Sequence, residues 1–400
     1  MSTPMSVRGK LARRPDKSLV CRVSGDASQA TERPSCCLIT DHLSSLDEAG
    51  DWAAILTTET LVDAQNSLPA NLSTPIVHSL PHLDHLVDGD VVAISPRGEV
   101  RTLYRIQSDH NSLLVAESCN SYCLMCSQPP RLVDDRARMD ELLRLVELID
   151  PATRALGLTG GEPTLLKGDL IRLVERCKEL LPQTSLHLLS NGRLFYYGSY
   201  ARDLAAVNHR DLMIAVPLYA DIDFIHDFVV QERGAFQETL VGLHNLARYG
   251  LSVELRVVLH RQSFKRLPEL AEFIKRNLPF VSQVALMGLE IMGFAVPNLD
   301  DLWIDPLEYQ LELDSATSIL ANSGLRVMIY NHQLCVLPER LWPYAVKSIS
   351  DWKNEYLPVC TECGVRDQCG GFFSSGVARR HSEHIEPLPF LPLPSVEGGR

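Results

Sequence analysis

Glu117-Ser118-Cys119-Asn120-Ser121-Tyr122-Cys123-Leu124-Met125-Cys126 is the stretch on which the reading of this chain turns. Three cysteines fall within eight residues, separated by three and then two positions. Thiolates are soft ligands that suit iron–sulfur clusters, zinc or copper(I). Three at this spacing can reach three irons of one cubane cluster, which ordinarily takes four cysteines. One iron then stays open to a substrate. A structural zinc site needs a fourth ligand, and the thirty residues after Cys126 hold no His or Cys.

The triplet follows the apolar run Leu113–Ala116. Similar short runs recur at 155–158, 186–189, 212–216, 253–259 and 284–287, and read as buried parallel strands. Between several of them lie helical stripes. Met139, Leu142, Leu143, Val146 and Ile149 make one, and Leu170, Val174, Cys177 and Leu181 another. Leu240, Leu243 and Ala247 precede Gly250, and Leu267, Leu270, Phe273, Ile274 and Leu278 form the last. Six βα-type repeats over about 180 residues predict an α/β fold with a barrel-like or doubly wound parallel sheet. Ligand sites in such folds lie at the carboxyl ends of the strands, where the triplet falls.

The rest of the chain frames this core. Residues 1–38 are polar and basic and read as a disordered tail. Residues 39–110 read as a small α+β lead-in, with a β-hairpin at Val91–Ile94 and Val100–Tyr104 around Pro96-Arg97-Gly98. The core spans 111–297. Residues 298–385 form a C-terminal domain with a helix near 306–322 and a strand at 325–330. Residues 386–400 are a proline-rich tail.

The net charge of -12 argues against a nucleic-acid partner. No run approaches the ~18 apolar residues of a membrane span, and no export signal is legible. A cytoplasmic location, with the 11 cysteines reduced, is therefore expected. Seven of the cysteines lie in two groups, which favours metal over disulfides.

Later strand ends carry further motifs. Thr159-Gly160-Gly161-Glu162-Pro163 follows the second strand and Ser190-Asn191-Gly192 the third. Arg256 sits among apolar residues of the fifth strand and needs an anionic partner. Gly288-Leu289-Glu290-Ile291 ends the sixth. The spacing C-x-x-x-C-x-x-C after a first strand, with Gly-Gly-Glu-Pro after the second, resembles the radical S-adenosylmethionine (SAM) enzymes.

That resemblance implies a partial (β/α)6 TIM-like barrel. It implies a 4Fe–4S cluster on Cys119, Cys123 and Cys126, whose open iron is chelated by SAM and whose electron cleaves SAM to a 5′-deoxyadenosyl radical. Gly160, Gly161, Glu162 and Pro163 would then hold the SAM amino group, with Ser190 and Asn191 on its ribose and carboxylate. Gly288–Ile291 would pack adenine. Arg256 has two candidate partners, the SAM carboxylate and a neighbouring Glu254 or Glu162. The residue before the third cysteine is usually aromatic in the family; here it is Met125, whose thioether can pack on adenine.

The second cysteine group is Cys335, Cys360, Cys363 and Cys369. Four cysteines satisfy a closed 4Fe–4S site or a zinc ribbon alike. The C-x-x-C-x5-C spacing resembles the auxiliary-cluster extension, of the twitch or SPASM-like type, of radical SAM peptide maturases, which implies a second 4Fe–4S cluster. Val216-Pro217-Leu218-Tyr219, His226-Asp227 and Gly234-Ala235-Phe236 resemble the peptide-maturase branch, and Cys119–Pro130 with Val346–Tyr356 is most similar to the HxsC subfamily of His-Xaa-Ser system maturases. The resemblance covers about 110–376. It implies a ribosomally synthesised (RiPP) peptide substrate with His-Xaa-Ser repeats, a second radical SAM maturase as partner, and an external flavodoxin- or ferredoxin-type electron donor.

Two alternatives stand beside it: a radical SAM enzyme of cofactor biosynthesis acting on a small molecule, and a metal-bearing scaffold without turnover. His226, Asp227 and Tyr219 are the candidates for a general base.

Overall fold

The computed structural model describes residues 6–25, 33–41, 52–60, 74–347 and 355–390. The chain divides into two compact units, residues 1–113, 136–156 and 172–185 in one and 114–135, 157–171 and 186–400 in the other.

The first unit is built on a mixed sheet. Its strands are β1 (Ser6–Arg8), β2 (Lys10–Arg13), β3 (Leu19–Ser24), β4 (Cys36–Ile39), β5 (Ala54–Leu56), β6 (Ile76–His78), β7 (Val91–Ile94) and β8 (Glu99–Tyr104), in the order β1-β8-β7-β3-β4-β5-β6-β2. β3 to β6 run parallel, and β7, β8, β1 and β2 join them antiparallel. The expected hairpin is β7–β8.

The expected disordered tail over 1–38 is corrected here. Residues 6–13 and 19–24 are strands, and Val7, Cys21, Val23 and Cys37 are buried in one apolar core with Val92, Ile94 and Val100. The basic residues misled because they alternate with core positions. Arg22, between Cys21 and Val23, sends Nε and a terminal nitrogen to the Leu148 carbonyl at 3.2 and 2.9 Å. That carbonyl ends helix α1 (Met139–Leu148) in the same unit, where cations offset the exposed carbonyls. Residues 1–5 and 26–32 lie outside the described residues. Between 39 and 110 the described residues hold strands and no α-helix, and residues 42–51 and 61–73 lie outside them.

A second sheet has eight strands in sequence order: β9 (Asn111–Ala116), β10 (Ala155–Gly160), β11 (Ser185–Leu189), β12 (Leu212–Pro217), β13 (Ser252–Leu259), β14 (Gln283–Gly288), β15 (Arg326–Tyr330) and β16 (Ala345–Val346). Pairings from β11 to β16 are parallel. Leu156, Leu158, Leu186, Leu188, Ile214, Leu255 and Val284 are fully buried, as expected of strands covered on both faces.

Helices fill the connections: α2 (Gly168–Leu180), α3 (Gly198–Ala206), α4 (Asp223–Val230), α5 (Ala235–Arg248), α6 (Leu267–Asn277), α7 (Leu299–Leu302), α8 (Gln310–Asn322) and α9 (Ser374–Arg379). The six expected core strands are present. The strand assigned to a separate C-terminal domain, β15, instead pairs with β14 from Gln283↔Arg326 to Met287↔Tyr330 and extends the sheet.

The proline-rich segment is ordered as far as residue 390, and residues 391–400 lie outside the described residues. Residues 348–354, part of the segment that resembles HxsC, also lie outside them. No helix among the described residues is long and apolar enough to cross a membrane.

Candidate functional site

The cysteine loop leaves the end of β9 and is tied down by its backbone. The Asp135 carboxylate accepts the Glu117 and Ser118 N–H groups at 2.7 and 2.9 Å, and the Ser118 hydroxyl as well. Tyr122 and Leu124 donate N–H to the Val230 and Val229 carbonyls at the end of α4, at 3.1 and 2.9 Å. Phe294 N–H caps the Cys126 carbonyl at 2.8 Å. Arg193, with a side chain only 10% exposed, donates to the Asn120 carbonyl and the Ser121 hydroxyl and is braced by Glu238 at 2.6 Å.

The Gly-Gly turn meets this loop directly. Gly161 N–H donates to the Ala116 carbonyl and Glu162 N–H to the Ser118 carbonyl, each at 2.7 Å. A Cβ on Gly160 would stand 2.0 Å from the Ala116 oxygen, and one on Gly161 2.1 Å from that of Ser118. Gly160 also has φ +135°. The glycines thus allow two stretches of backbone to touch.

Glu162 is wholly buried. One carboxylate oxygen accepts the Thr164 N–H, the Thr164 hydroxyl and the Ser190 hydroxyl at 3.0, 2.5 and 2.7 Å, and the other accepts the Asn191 N–H at 2.6 Å. Burial raises its pKa from the ordinary value. This side chain, expected to hold the SAM amino group, joins the ends of β10 and β11. Asn191 Nδ2 then donates to Asn120 Oδ1 at 2.6 Å and lies 4.0 Å from Cys119 Sγ. The ends of β9, β10 and β11 form one hydrogen-bonded platform under the cysteines.

Other expected residues fall elsewhere. Met125 is 7% exposed, in an apolar cluster with Tyr219, Val229, Val230 and Leu302, so it anchors the loop from below and presents little surface to a ligand. Pro163 opens the short 3-10 turn Pro163–Leu166. Arg256 is paired with Glu254 at 3.3 Å, the neighbour rather than Glu162. The paired atom is its buried Nε, which faces that carboxylate outside hydrogen-bond geometry. Tyr219 N–H donates to His226 Nδ1 at 3.3 Å, and burial lowers the His226 pKa to about 4. Asp227 accepts the Gly234 and Phe236 N–H groups at 2.6 and 2.8 Å. The His226 and Asp227 side chains thus each accept backbone N–H groups. Asp135 and Arg193, unremarked in the sequence, do as much to fix the loop as any motif residue.

Burial, and then the nearby Glu162, push the Cys119 thiol up to about 11; burial, and then the other two cysteines, push Cys123 to about 12. Burial raises Cys126 too. A cationic metal group compensates such sites by binding thiolates and releasing protons.

The second group converges as well. Cys335, Cys360, Cys363 and Cys369 line one cavity with Tyr356 and Arg366, and all are free of disulfides. Gly371 N–H points to Cys369 Sγ and Leu388 N–H to Cys363 Sγ, each at 3.5 Å. Tyr356 donates its hydroxyl to the Cys369 carbonyl at 2.8 Å and stacks under the Arg366 guanidinium at 4.8 Å.

A larger cavity of about 70 Å³ opens at the ends of β13 and β14. Gly288, Leu289 and Ile291 line it, and Gln333 and Phe372 border both cavities. Apart from these, His82, Asp84 and His85 bring their ligand atoms together on one loop, but the Asp84 side chain is 87% exposed.

Residues 113–274 match the model of the Radical SAM superfamily. That segment resembles a radical SAM domain. A PqqA peptide cyclase of Granulibacter bethesdensis is 27% identical over 249 residues, 60% of this chain and 62% of that protein. A pre-heme d1 synthase of Dinoroseobacter shibae is 33% identical over 116 residues, 29% of this chain and 27% of that protein. The crystal structure of Streptococcus suis SuiB bound to S-adenosylmethionine aligns over 55% of this chain and 49% of that one, at 15% identity and a TM-score of 0.42. The chain thus spans less than two thirds of the relatives it matches.

The radical SAM superfamily implies a 4Fe–4S cluster and SAM. The residues fit: three soft donors, none of them in a disulfide, share one loop on the platform.

Proposed function

We propose that this chain is a radical SAM enzyme that modifies a ribosomally synthesised peptide, as the maturase of a His-Xaa-Ser repeat system. The observation that carries it is the platform: the Cys119/Cys123/Cys126 loop, the Gly160–Pro163 turn and Ser190-Asn191 joined through Glu162 at the ends of three adjacent strands. Similarity to a peptide cyclase over 249 residues supports the peptide class.

Cys119, Cys123 and Cys126 hold the cluster. With SAM bound, that group supplies a 5′-deoxyadenosyl radical for hydrogen abstraction. Gly160 and Gly161 set the turn against the cysteine loop, and Glu162 orients Ser190 and Asn191 toward the cofactor side. Arg256, held by Glu254, brings its guanidinium charge to an anionic group. Met125 keeps the loop from moving. Cys335, Cys360, Cys363 and Cys369 hold a second, closed 4Fe–4S cluster. The enzyme works in the cytoplasm with an external flavodoxin- or ferredoxin-type donor and a second maturase.

Reconstituted anaerobically and reduced, the chain is expected to turn SAM into 5′-deoxyadenosine. Co-expression with the peptide and partner enzyme should change the peptide's intact mass, or its deuterium uptake if the product is an epimer. A peptide unchanged by both measures refutes the maturase reading. A second reading, a small-molecule substrate, is favoured by the similarity to pre-heme d1 synthase and to a GTP 3′,8-cyclase of Helicobacter pylori, 24% identical over 175 residues. It predicts SAM cleavage stimulated by a small molecule and not by peptide.

A further inference from the structure

Glu386-Pro387-Leu388-Pro389-Phe390 has the composition of a loose tail, yet it is bound to the second cysteine group. Prolines carry no N–H, so residues 387 and 389 have none to give. The donors left are those of Glu386, Leu388 and Phe390, at every second position. In an extended chain, groups two residues apart face the same way. The prolines therefore leave one row of donors and hold it extended, at low entropic cost.

The geometry uses that row. Leu388 N–H points to Cys363 Sγ at 3.5 Å, and the Leu388 carbonyl accepts the Gly364 N–H at 2.8 Å. Leu388 thus grips Cys363-Gly364 in both directions. Two residues earlier, the backbone of Glu386 hydrogen-bonds the Cys335 sulfur, and Ile385 and Glu386 line the cysteine cavity. At the other end a Cβ on Gly364 would lie 2.4 Å from the Phe390 nitrogen. The strap passes so close that residue 364 has no room for a side chain. Cysteines 28 residues apart in sequence are bridged by one short stretch of chain that carries no cysteine itself.

We propose that residues 385–390 are a positioning strap for the four-cysteine site, whose Leu388 N–H bonds the Cys363 sulfur and raises the reduction potential of the group those cysteines hold. The inference rests on the reading that they hold a 4Fe–4S cluster. Hydrogen bonds to sulfur set cluster potentials. Reduction adds negative charge to the sulfurs, and a donor to a charged acceptor is the stronger bond. Each N–H therefore favours the reduced state, and its loss lowers the potential.

The test uses the full chain with Cys119, Cys123 and Cys126 changed to Ala, so that metal binds only at the second site. Iron and sulfide content there decides the cluster reading by itself. Leu388→Pro deletes the N–H, and Leu388→Val keeps it. With iron retained, Leu388→Pro is expected to lower the reduced-to-oxidised ratio about tenfold at fixed potential, about 59 mV for one electron. Leu388→Val should match the parent. Gly364→Ala, which pushes the strap away through the Phe390 nitrogen, should shift it in the same direction.

If the site holds zinc, the cluster reading fails, and the strap is judged by zinc release to a chelator. Release should then be faster in Leu388→Pro and unchanged in Leu388→Val. Equal potentials, or equal release rates, in Leu388→Pro and Leu388→Val overturn the strap. Should Leu388→Pro fail to load, Gly364→Ala decides on the same readouts, and parent-like values there overturn it.

Discussion

The two cysteine groups solve the same problem in opposite ways. At Cys119/Cys123/Cys126 the partners from outside the loop fix its backbone, as Asp135, Arg193 and the Val229 and Val230 carbonyls bind loop backbone or flanking hydroxyls, while Cys119 takes its backbone donors from Asn120 and Ser121 of the loop itself. At Cys335/Cys360/Cys363/Cys369 the sulfurs themselves receive N–H donors from Gly371 and Leu388, and the chain closes over them. On the proposed reading, the first arrangement leaves a coordination position to a substrate and the second encloses its group, because a distant segment of chain crosses its sulfurs.

The sharpest way to break this contrast is Cys126→Ala. It should abolish conversion of SAM to 5′-deoxyadenosine while leaving metal at the second site unchanged. Iron analysis beside product chromatography reads both, and loss of metal from both sites would mean that the two are not independent.

Glu162→Gln should come next. The amide replaces one accepting oxygen with a donor that faces N–H and O–H groups. A loss of about 3 kcal/mol of stability is expected from buried bonds to a charged group, read by denaturant titration, together with weaker cluster retention at the first site only.

Acid should act on the second region through His332. It is buried, bonded to Tyr309 Oη and the Tyr330 carbonyl at 2.8 Å each, three residues before Cys335. Burial lowers its pKa to about 4. The folded value lies below the unfolded ~6.5, so the unfolded chain binds the extra proton. The stabilising contribution is full above about 6.5 and is lost as pH falls toward 4, at up to about 1.4 kcal/mol per pH unit. His226 adds to the same window beside Tyr219, so His332→Gln should flatten the slope only in part.

The smallest effect is Tyr356→Phe. It removes one hydroxyl bond to the Cys369 carbonyl, worth about 1 kcal/mol. Thermal unfolding should register it, with SAM cleavage unaltered.

What was legible in the sequence follows from how each feature is encoded. Cysteine spacing and the Gly-Gly-Glu-Pro turn are local chemistry, and the structure brings those residues together. The six apolar runs were long enough to show as strands. β1 and β2 were not, being three and four residues whose partners in β8 and β6 lie far along the chain. Asp135 and Arg193 left no signal, because their partners are mostly backbone atoms and any loop offers those. Met125 and Glu162 were noticed at the right positions, but their direction, inward to the core and to the strand ends, depends on tertiary packing. The proline-rich segment misled because its useful atoms are the N–H groups of the residues that alternate with the prolines.

The touch between Gly160-Gly161 and the backbone of Ala116 and Ser118 has a consequence for inheritance and engineering. With about 2 Å between an added Cβ and a carbonyl oxygen, neither partner can change its path alone. The cysteine loop is not a cassette to be grafted onto another strand–helix scaffold. It travels only with its Gly-Gly turn and with the spacing between β9 and β10 that lets the two lie in contact.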